Sequence, residues 1–584
     1  MTALDVCQNK IHVLEEELAK SKQVFTIGHY LAERFEQIGL RHVFMVPGDY
    51  NLVLLDQLLE NKNLRQIGCC NELNAAYAAE GYARANGCGA VVTTFNVGAF
   101  SALNGVAGAY AENLPVIFVS GGFNTNDPAE NHLIHHSIGT HDFSYQHDMF
   151  RQVTCAAVRI LNAENAPALI DHAITTALRE RKPAYIEIPC NLAAEPSNSP
   201  APFDLTLTKR ITNPFALKAA VEKAAYQISK AKKPLLLAGS HLRSFGAIDA
   251  FRELAEALGC AVAVMLDAKS FFPEDHPQFV GVYLGAESSA DCEPVVDWSD
   301  LIIAGGPQFT DYTTEGWTAL PSRQKMIKAE LGFVQFSDSE YTGIEMADFF
   351  SALAKKVKKN DATLLEYHRL CGKEKTSSSF LSESDSPLTR AEMVSQIEND
   401  LDENTTLLVE TGDAWFNGLY MRLTKGAKFE IEMQWGSIGW AVPASFGYAV
   451  GMPPGGRVVS IIGDGSFQLT AQEVANMIRY KTKNLIFLIN NGGYVIESEI
   501  HEGPYNYFKN WDYKGLISTF NADDGKGLGL KATTSSELAK AIKQARDHDG
   551  PVLIECKIPH DDCTPQLLKW GTKVATANNR PPLK

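Results

Sequence analysis

The amino-acid sequence predicts an α/β protein of three doubly wound domains, each built on a parallel sheet. Three observations carry this expectation. Short runs at residues 91–95, 115–119, 234–238 and 261–265 are largely apolar or β-branched, as strands buried on both faces are. Helical patterns separate such runs, and alternation of this kind builds βαβ units. The 584 residues are too many for one hydrophobic core.

Taken in order, residues 1–22 contain Glu15, Glu16 and Glu17 and no arginine. A transit peptide is Arg-rich and acid-poor, and a signal peptide has an apolar centre, so this segment reads as a short amphipathic helix or a frayed arm. A helical pattern runs from residue 25 to about 38, with Gly39 as its stop. A strand at 42–46 enters Pro47-Gly48-Asp49-Tyr50, and alternation continues to about 189. Residues 194–202 have a linker composition, rich in Pro and Ser. A second domain holds strands at 234–238, 261–265 and 300–305, followed by a Ser- and acid-rich linker at 375–387. The third holds strands at 458–462 and 485–489 around a helix reaching about 480, and a last helix covers 565–577. The expected division is arm (1–22), first domain (23–193), linker (194–212), middle domain (213–358), linker (359–387), third domain (388–560) and tail (561–584).

A net charge of −16 disfavours nucleic acid and anionic membrane as partners. No apolar run reaches the ~18 residues that cross a bilayer. Eleven cysteines without regular spacing suit a reducing compartment, hence a cytoplasmic location.

The chemistry concentrates between the last two predicted strands. The first ends in Gly463-Asp464-Gly465-Ser466, and the second ends in Asn490-Asn491-Gly492-Gly493. Open α/β sheets bind ligands at these carboxyl ends. Gly463 and Gly465 are expected to let the backbone bend, and Ser466 opens a helix whose N-terminus favours an anion. Asp464 and Asn491 are hard oxygen ligands, so the pair predicts a phosphate held through Mg²⁺. A bare Gly-Asp-Gly is commonly an ordinary turn. Here 24 residues separate Gly465 from Asn490 and both halves carry ligand types.

This spacing resembles the diphosphate motif of thiamine diphosphate enzymes. Five further stretches sharpen the resemblance: Pro47 to Asn51, Cys70 to Tyr77, His135-His136, Trp435-Gly436-Ser437-Ile438-Gly439, and Gly493 to Glu497. Together they are similar to the pyruvate decarboxylases, within the thiamine-dependent 2-oxo acid decarboxylases, from about residue 25 to the C-terminus. The resemblance implies a fold of the thiamine diphosphate enzyme type, with a pyrimidine-binding first domain and a diphosphate-binding third domain. It implies non-oxidative decarboxylation of pyruvate to acetaldehyde and CO₂ in fermentative metabolism, with thiamine diphosphate and Mg²⁺ as cofactors.

By resemblance, Glu72 hydrogen-bonds the aminopyrimidine ring of the cofactor, and Ile438 holds it bent while Gly436 offers its carbonyl. Thr411, Asp413, Ser437, Asp464, Gly465, Ser466, Asn491, Gly492, Gly493, Tyr494, Val495 and Ile496 complete the cofactor site, with Asp464, Asn491 and Gly493 on the metal. Asp49, His135, His136 and Glu497 surround the substrate, a set suited to proton transfer. Trp415, Ile496 and Ile500 are bulky enough to favour a small substrate. The family builds this site between two chains, which implies a homodimer, commonly paired into a homotetramer.

Three positions depart from the pattern. Asn96 precedes Val97-Gly98 where relatives carry a smaller residue, and Val495 stands where they often carry Thr. No cysteine lies between Cys190 and Cys260; Ser240 and His241 occupy the stretch where substrate-activated relatives carry one, which implies a hyperbolic rate dependence. Larger 2-oxo acids such as indolepyruvate or phenylpyruvate are the alternative substrates. An acetolactate synthase-like ligase fits less well, because the His135-His136 pair belongs to the decarboxylase pattern. A non-catalytic assembly protein on this fold is the reading from another class, and the intact Glu72, Asp464, Asn491 and Glu497 oppose it. A nucleotide-dependent oxidoreductase lacks its G-x-G-x-x-G.

Overall fold

The computed structural model describes residues 24–371, 385–423 and 426–582. The expected arm and most of the 375–387 linker lie outside them. Three sheets form, in sequence order. The first comprises β1 (His42–Met45), β2 (Arg65–Gly68), β3 (Gly89–Thr93), β4 (Val116–Gly122), β5 (Ala156–Arg159) and β6 (Ala184–Pro189). Its order is β2-β1-β3-β4-β6-β5, and every pairing is parallel.

The middle sheet contains β7 (Pro234–Ala238), β8 (Ala261–Met265), β9 (Phe279–Tyr283), β10 (Leu301–Gly305), β11 (Met326–Glu330), β12 (Phe333–Gln335) and β13 (Glu340–Thr342). Its order is β13-β12-β11-β10-β7-β8-β9. β12 and β13 are antiparallel additions at one edge. The two-residue turn after β11 allows only a hairpin, because a parallel return needs a longer crossover.

The third sheet comprises β14 (Thr405–Val409), β15 (Lys428–Ile431), β16 (Arg457–Gly463), β17 (Asn484–Asn490), β18 (Leu528–Ala532) and β19 (Val552–Lys557). Its order, β15-β14-β16-β17-β19-β18, is the order of the first sheet, and it too is wholly parallel. The strands read from sequence agree with these to within three residues at either end, because strands buried on both faces leave an unbroken apolar signal.

The first and third domains share one core. Helix α1 (Glu72–Asn86) lies against helix α2 (Ala441–Gly451). A Cβ at Gly447 would stand 1.8 Å from the Ala78 carbonyl oxygen, and one at Gly81 would stand 2.0 Å from that of Ala444. Backbones meet at this distance only through glycine.

The single helix expected up to residue 480 is instead two, Asp464–Thr470 and Val474–Tyr480, joined by a 3₁₀ turn at Ala471–Glu473. The break brings the buried Glu473 carboxylate to the Cys70 N–H (3.2 Å) and to Asn74 Nδ2 (2.9 Å). It also sends the Thr470 hydroxyl to the Gly439 carbonyl at 2.7 Å. Hydrogen bonds to other elements thus replace those of a continuous helix.

Candidate active site

Two clusters of chemically capable side chains stand at equivalent places, the carboxyl ends of the first four strands in the first and third sheets. Both places coincide with the reversal of strand order, where open sheets form their ligand crevice.

In the first domain, Asp49 follows β1, Glu72 follows β2, Asn96 follows β3, and His135 and His136 lie in the long connection after β4. Asp49 Oδ2 is 2.6 Å from His135 Nε2, and Oδ1 is 3.9 Å from His136 Nε2. The Tyr50 ring stacks on His135 at 5.0 Å. Glu72 is the first residue of α1, and its Asn71 cap accepts a hydrogen bond from the Asn74 N–H. The Glu72 carboxylate lies over Gly98, where a Cβ would come within 2.9 Å of Oε1. It forms no hydrogen bond or ion pair with the described residues.

In the third domain, Thr411 and Asp413 follow β14, Gly436 to Ile438 follow β15, Asp464 to Ser466 follow β16, and Asn491 to Glu497 follow β17. Thr411, Asp413, Ile438, Asp464, Ser466, Asn491, Gly493, Val495 and Ile496 are among the residues lining one cavity. An adjoining groove of about 360 Å³ is lined by Ile438, Leu469, Tyr494, Glu497, His501, Tyr505 and Asn506.

Asp464 is buried, with Oδ1 accepting the Gly465 N–H (2.9 Å) and Oδ2 the Gly492 N–H (2.6 Å). Beside it Asn491 Oδ1 and Thr411 Oγ1 are buried without hydrogen-bond partners. Such orphans are costly in a folded protein unless a ligand satisfies them. The Gly493 carbonyl accepts the Val495 N–H at 3.1 Å, which leaves it a second lone pair. A carboxylate, an amide oxygen and a backbone carbonyl are the donor set a hard divalent cation takes, so the residues fit the expected Mg²⁺.

Burial pushes the Asp464 carboxyl from 3.8 up to about 6, against the pull of the Gly492 and Gly465 N–H groups. In metal-free protein the folded state therefore holds this proton more tightly than the unfolded chain does. That contribution to stability is present at low pH and is lost as pH rises from about 4 to about 6. A cation needs the anion and competes with the proton. Apparent Mg²⁺ affinity is expected to weaken by up to about tenfold per unit below pH 6. Mg²⁺ titrations of cofactor retention at pH 5, 6 and 7 measure this, and a flat profile would remove Asp464 as a ligand.

Some expected residues are placed differently from their reading. Gly463 has an ordinary extended backbone (φ −69°, ψ 152°), so no bend depends on it. A Cβ there meets no protein atom, whereas at Gly465 it would strike the Tyr494 ring at 2.5 Å. Asp413 is half-buried, and its carboxylate is taken by Thr564 (Oγ1 3.0 Å, N–H 3.3 Å) and Asn417 (3.2 Å). It thereby anchors the cap of the C-terminal helix Pro565–Asn578. Trp415 is buried in the core and meets Tyr312 edge-on, and Ile500 is partly buried against the same core.

The structure also supplies residues that the sequence reading missed. Glu410, at the end of β14, accepts the N–H groups of Thr411 and Ala441, both at 2.9 Å. Burial pushes its carboxyl up to about 7. The loop bearing Gly436, Ser437 and Ile438 hangs on two more acids. Glu112 of the first domain accepts the Gln434 and Trp435 N–H groups, and Glu432 accepts that of Ser437. The Ser437 hydroxyl meets Tyr77 of α1 at 2.6 Å. Only the charge of these acids inside apolar surroundings could have flagged them.

Three domains of this order with this oxygen-lined cradle define a thiamine pyrophosphate enzyme. Three family descriptions match: thiamine pyrophosphate enzyme, N-terminal TPP binding domain, over residues 25–144; central domain, over 221–346; and C-terminal TPP binding domain, over 413–556. The chain belongs to the pyruvate decarboxylase family of these enzymes. A probable pyruvate decarboxylase of Schizosaccharomyces pombe is 50% identical over 570 residues, 97% of this chain and 99% of that protein. A pyruvate decarboxylase of Neurospora crassa is 49% identical over 566 residues (97% and 99%). Pyruvate decarboxylase 3 of Arabidopsis thaliana is 47% identical over 564 (95% and 94%).

Proposed function

We propose that this chain converts pyruvate to acetaldehyde and CO₂, using thiamine diphosphate and Mg²⁺, in a site completed between two copies. One observation carries the reading. Complementary half-sites stand at the carboxyl ends of two sheets of identical order, yet among the described residues no hydrogen bond or ion pair joins Asp49, Glu72, His135 or His136 to the third-domain cradle. A second chain that brings its first domain to this third domain unites Glu72, Asp49, His135 and His136 with the cradle. A homodimer is then the smallest active unit, and pairing of dimers into a tetramer extends the same proposal.

Bound thiamine diphosphate supplies the carbanion chemistry. Asp464, Asn491 and Gly493 would hold its metal, and Ser466 and the glycine-rich turn would face its diphosphate. Ile438, between cavity and groove, would support its bent form. Glu72 would accept a hydrogen bond from its pyrimidine ring. His135 Nε2 and Asp49 Oδ2, already in hydrogen-bond contact, form a donor–acceptor pair able to pass a proton. Glu497 would face them from the groove. A panel of 2-oxo acids with thiamine diphosphate and Mg²⁺, followed by CO₂ and aldehyde, tests the reaction. Turnover of phenylpyruvate or indolepyruvate above pyruvate would replace the substrate.

Size limitation is testable in the cavity. Ile496→Ala should raise phenylpyruvate turnover relative to pyruvate by about 10-fold, since a pocket methylene is worth ~1–3 kcal/mol. An unchanged ratio would exclude Ile496 as a wall. Trp415→Ala is a poorer probe, because emptying a core tryptophan site costs about 3–5 kcal/mol of stability.

Two further features belong to the proposal. Ser240 already engages Gln308 and His241 already engages Glu330, which supports a hyperbolic pyruvate dependence. No helix among the described residues is long and apolar enough to cross a membrane. Cys88, Cys260 and Cys292 are buried thiols that form no disulfide, which suits the proposed cytoplasmic location.

A further inference from the structure

We infer that Asn96 is the positioning residue of the histidine pair, a clamp that holds His136 and Tyr145 together and so fixes the imidazoles against Asp49. The inference rests on the decarboxylase reading above.

The segment between β4 and the short helix Tyr145–Phe150 contains one helical turn, Asp127–Glu130, and otherwise no regular element. Its shape must come from side chains. His136 has φ +62°, in the left-handed region that residues with a Cβ seldom adopt, so neighbours must hold it there. Asn96 is placed to do so. Its Nδ2 donates to the His136 carbonyl at 2.7 Å and to the Tyr145 hydroxyl at 2.6 Å. The same hydroxyl accepts the Ile138 N–H at 3.2 Å. Both amide hydrogens of one buried side chain thus bridge the two ends of the histidine stretch.

Asn96 is itself fixed from below. It begins the helix Val97–Ala111 at φ +49°, but its side chain makes no cap there, being turned to the loop instead. Its N–H donates to Gln146 Oε1 at 2.5 Å. Gln146 Nε2 donates to Ser120 Oγ (2.9 Å) and to the Tyr185 hydroxyl (2.6 Å). Tyr185 donates to Glu187, which also pairs with Arg159 at 2.9 Å. Arg159 returns to the Phe143 carbonyl at 2.8 Å. A polar network therefore fastens the loop through Asn96 at one point and Arg159 at another.

The required chemistry is that of a two-hydrogen donor at positive φ. With ψ −81° beside that φ, the backbone lies outside the left-handed helical region, and glycine is the residue that takes it at least steric cost. Aspartate matches its shape but would set a carboxylate oxygen against the His136 carbonyl. Glycine keeps the backbone and removes the clamp.

Asn96→Asp and Asn96→Gly are to be compared with wild-type protein, all reconstituted with thiamine diphosphate and Mg²⁺. Both variants should lower kcat/KM for pyruvate by about 10- to 100-fold, the effect of misplacing a catalytic group by about 1 Å. The pH profile of kcat/KM should change shape, and amide exchange across residues 131–145 should quicken. Exchange of the bound cofactor's C2 hydrogen should keep the wild-type rate, because among the described residues the Asn96 side chain hydrogen-bonds only within the first domain, to His136 and Tyr145. A wild-type pH profile and wild-type amide exchange in both variants would overturn the inference. So would loss of cofactor C2 exchange together with the turnover, which would mark a general structural defect. If the wild-type chain decarboxylates no 2-oxo acid, the proposed function fails, and the amide exchange alone still decides whether Asn96 holds the loop.

Discussion

Asp464→Ala is expected to abolish holoenzyme formation. Asp464 is the charged member of a cradle whose other oxygens, from Asn491 and Gly493, are neutral. Without it the cation loses its one anionic protein ligand, and the diphosphate charge is less compensated. Changes to groups that merely orient a metal ligand cost 10–100-fold in affinity, so removing the ligand should exceed about 100-fold. Equilibrium dialysis of thiamine diphosphate at graded Mg²⁺ measures it. Cofactor retained with normal Mg²⁺ dependence would end the metal assignment. The fold should survive, because the same change relieves a buried carboxylate that burial already holds up to about 6.

Glu72→Gln is expected to leave both fold and cofactor binding intact while slowing cofactor activation by about 100-fold or more, the lower range of acid–base catalysis. Glu72 makes no hydrogen bond or ion pair with the described residues, so the amide breaks none of these contacts. It cannot stabilise the same ring tautomer as the carboxylate. Hydrogen–deuterium exchange at C2 of the bound cofactor isolates this step, and wild-type exchange in the variant would remove the role.

The two variants together test the shared site. Co-expressed chains carrying Glu72→Gln or Asp464→Ala would pair at random. In a mixed dimer one site collects both defects and the other collects neither. About one quarter of wild-type activity should therefore return, as expected for a two-fold symmetric interface. Activity no greater than either variant alone would place each site within one chain.

Strands β1, β3, β4, β7, β8, β10, β16 and β17 were legible because each is a short, largely apolar or β-branched run, and its composition does not depend on what it packs against. The order Gly-Asp-Gly to Asn-Asn was legible for the same kind of reason: strand, turn and helix set the spacing locally. The two antiparallel edge strands β12 and β13 were not read, being three residues each and too short for a period. The helix break at Ala471–Glu473 was invisible because its cause lies about 400 residues away, at Cys70 and Asn74.

The sequence alone nominated the side chains proposed to carry chemistry: Glu72, Asp49, His135, His136 and Glu497, with Asp464 and Asn491 at the carboxyl ends of two neighbouring strands. Tertiary structure alone decided how they are held. It turned Asn96 into a clamp, committed Asp413 to Thr564, buried Trp415 in the core, and hung the Ile438 loop on Glu112. It also separated the capable residues into two half-sites of one chain. The physical reason is range: local pattern follows from neighbours a few positions apart, whereas each of these arrangements is a hydrogen bond or close packing between segments tens to hundreds of residues apart, which leaves no periodic mark in either segment.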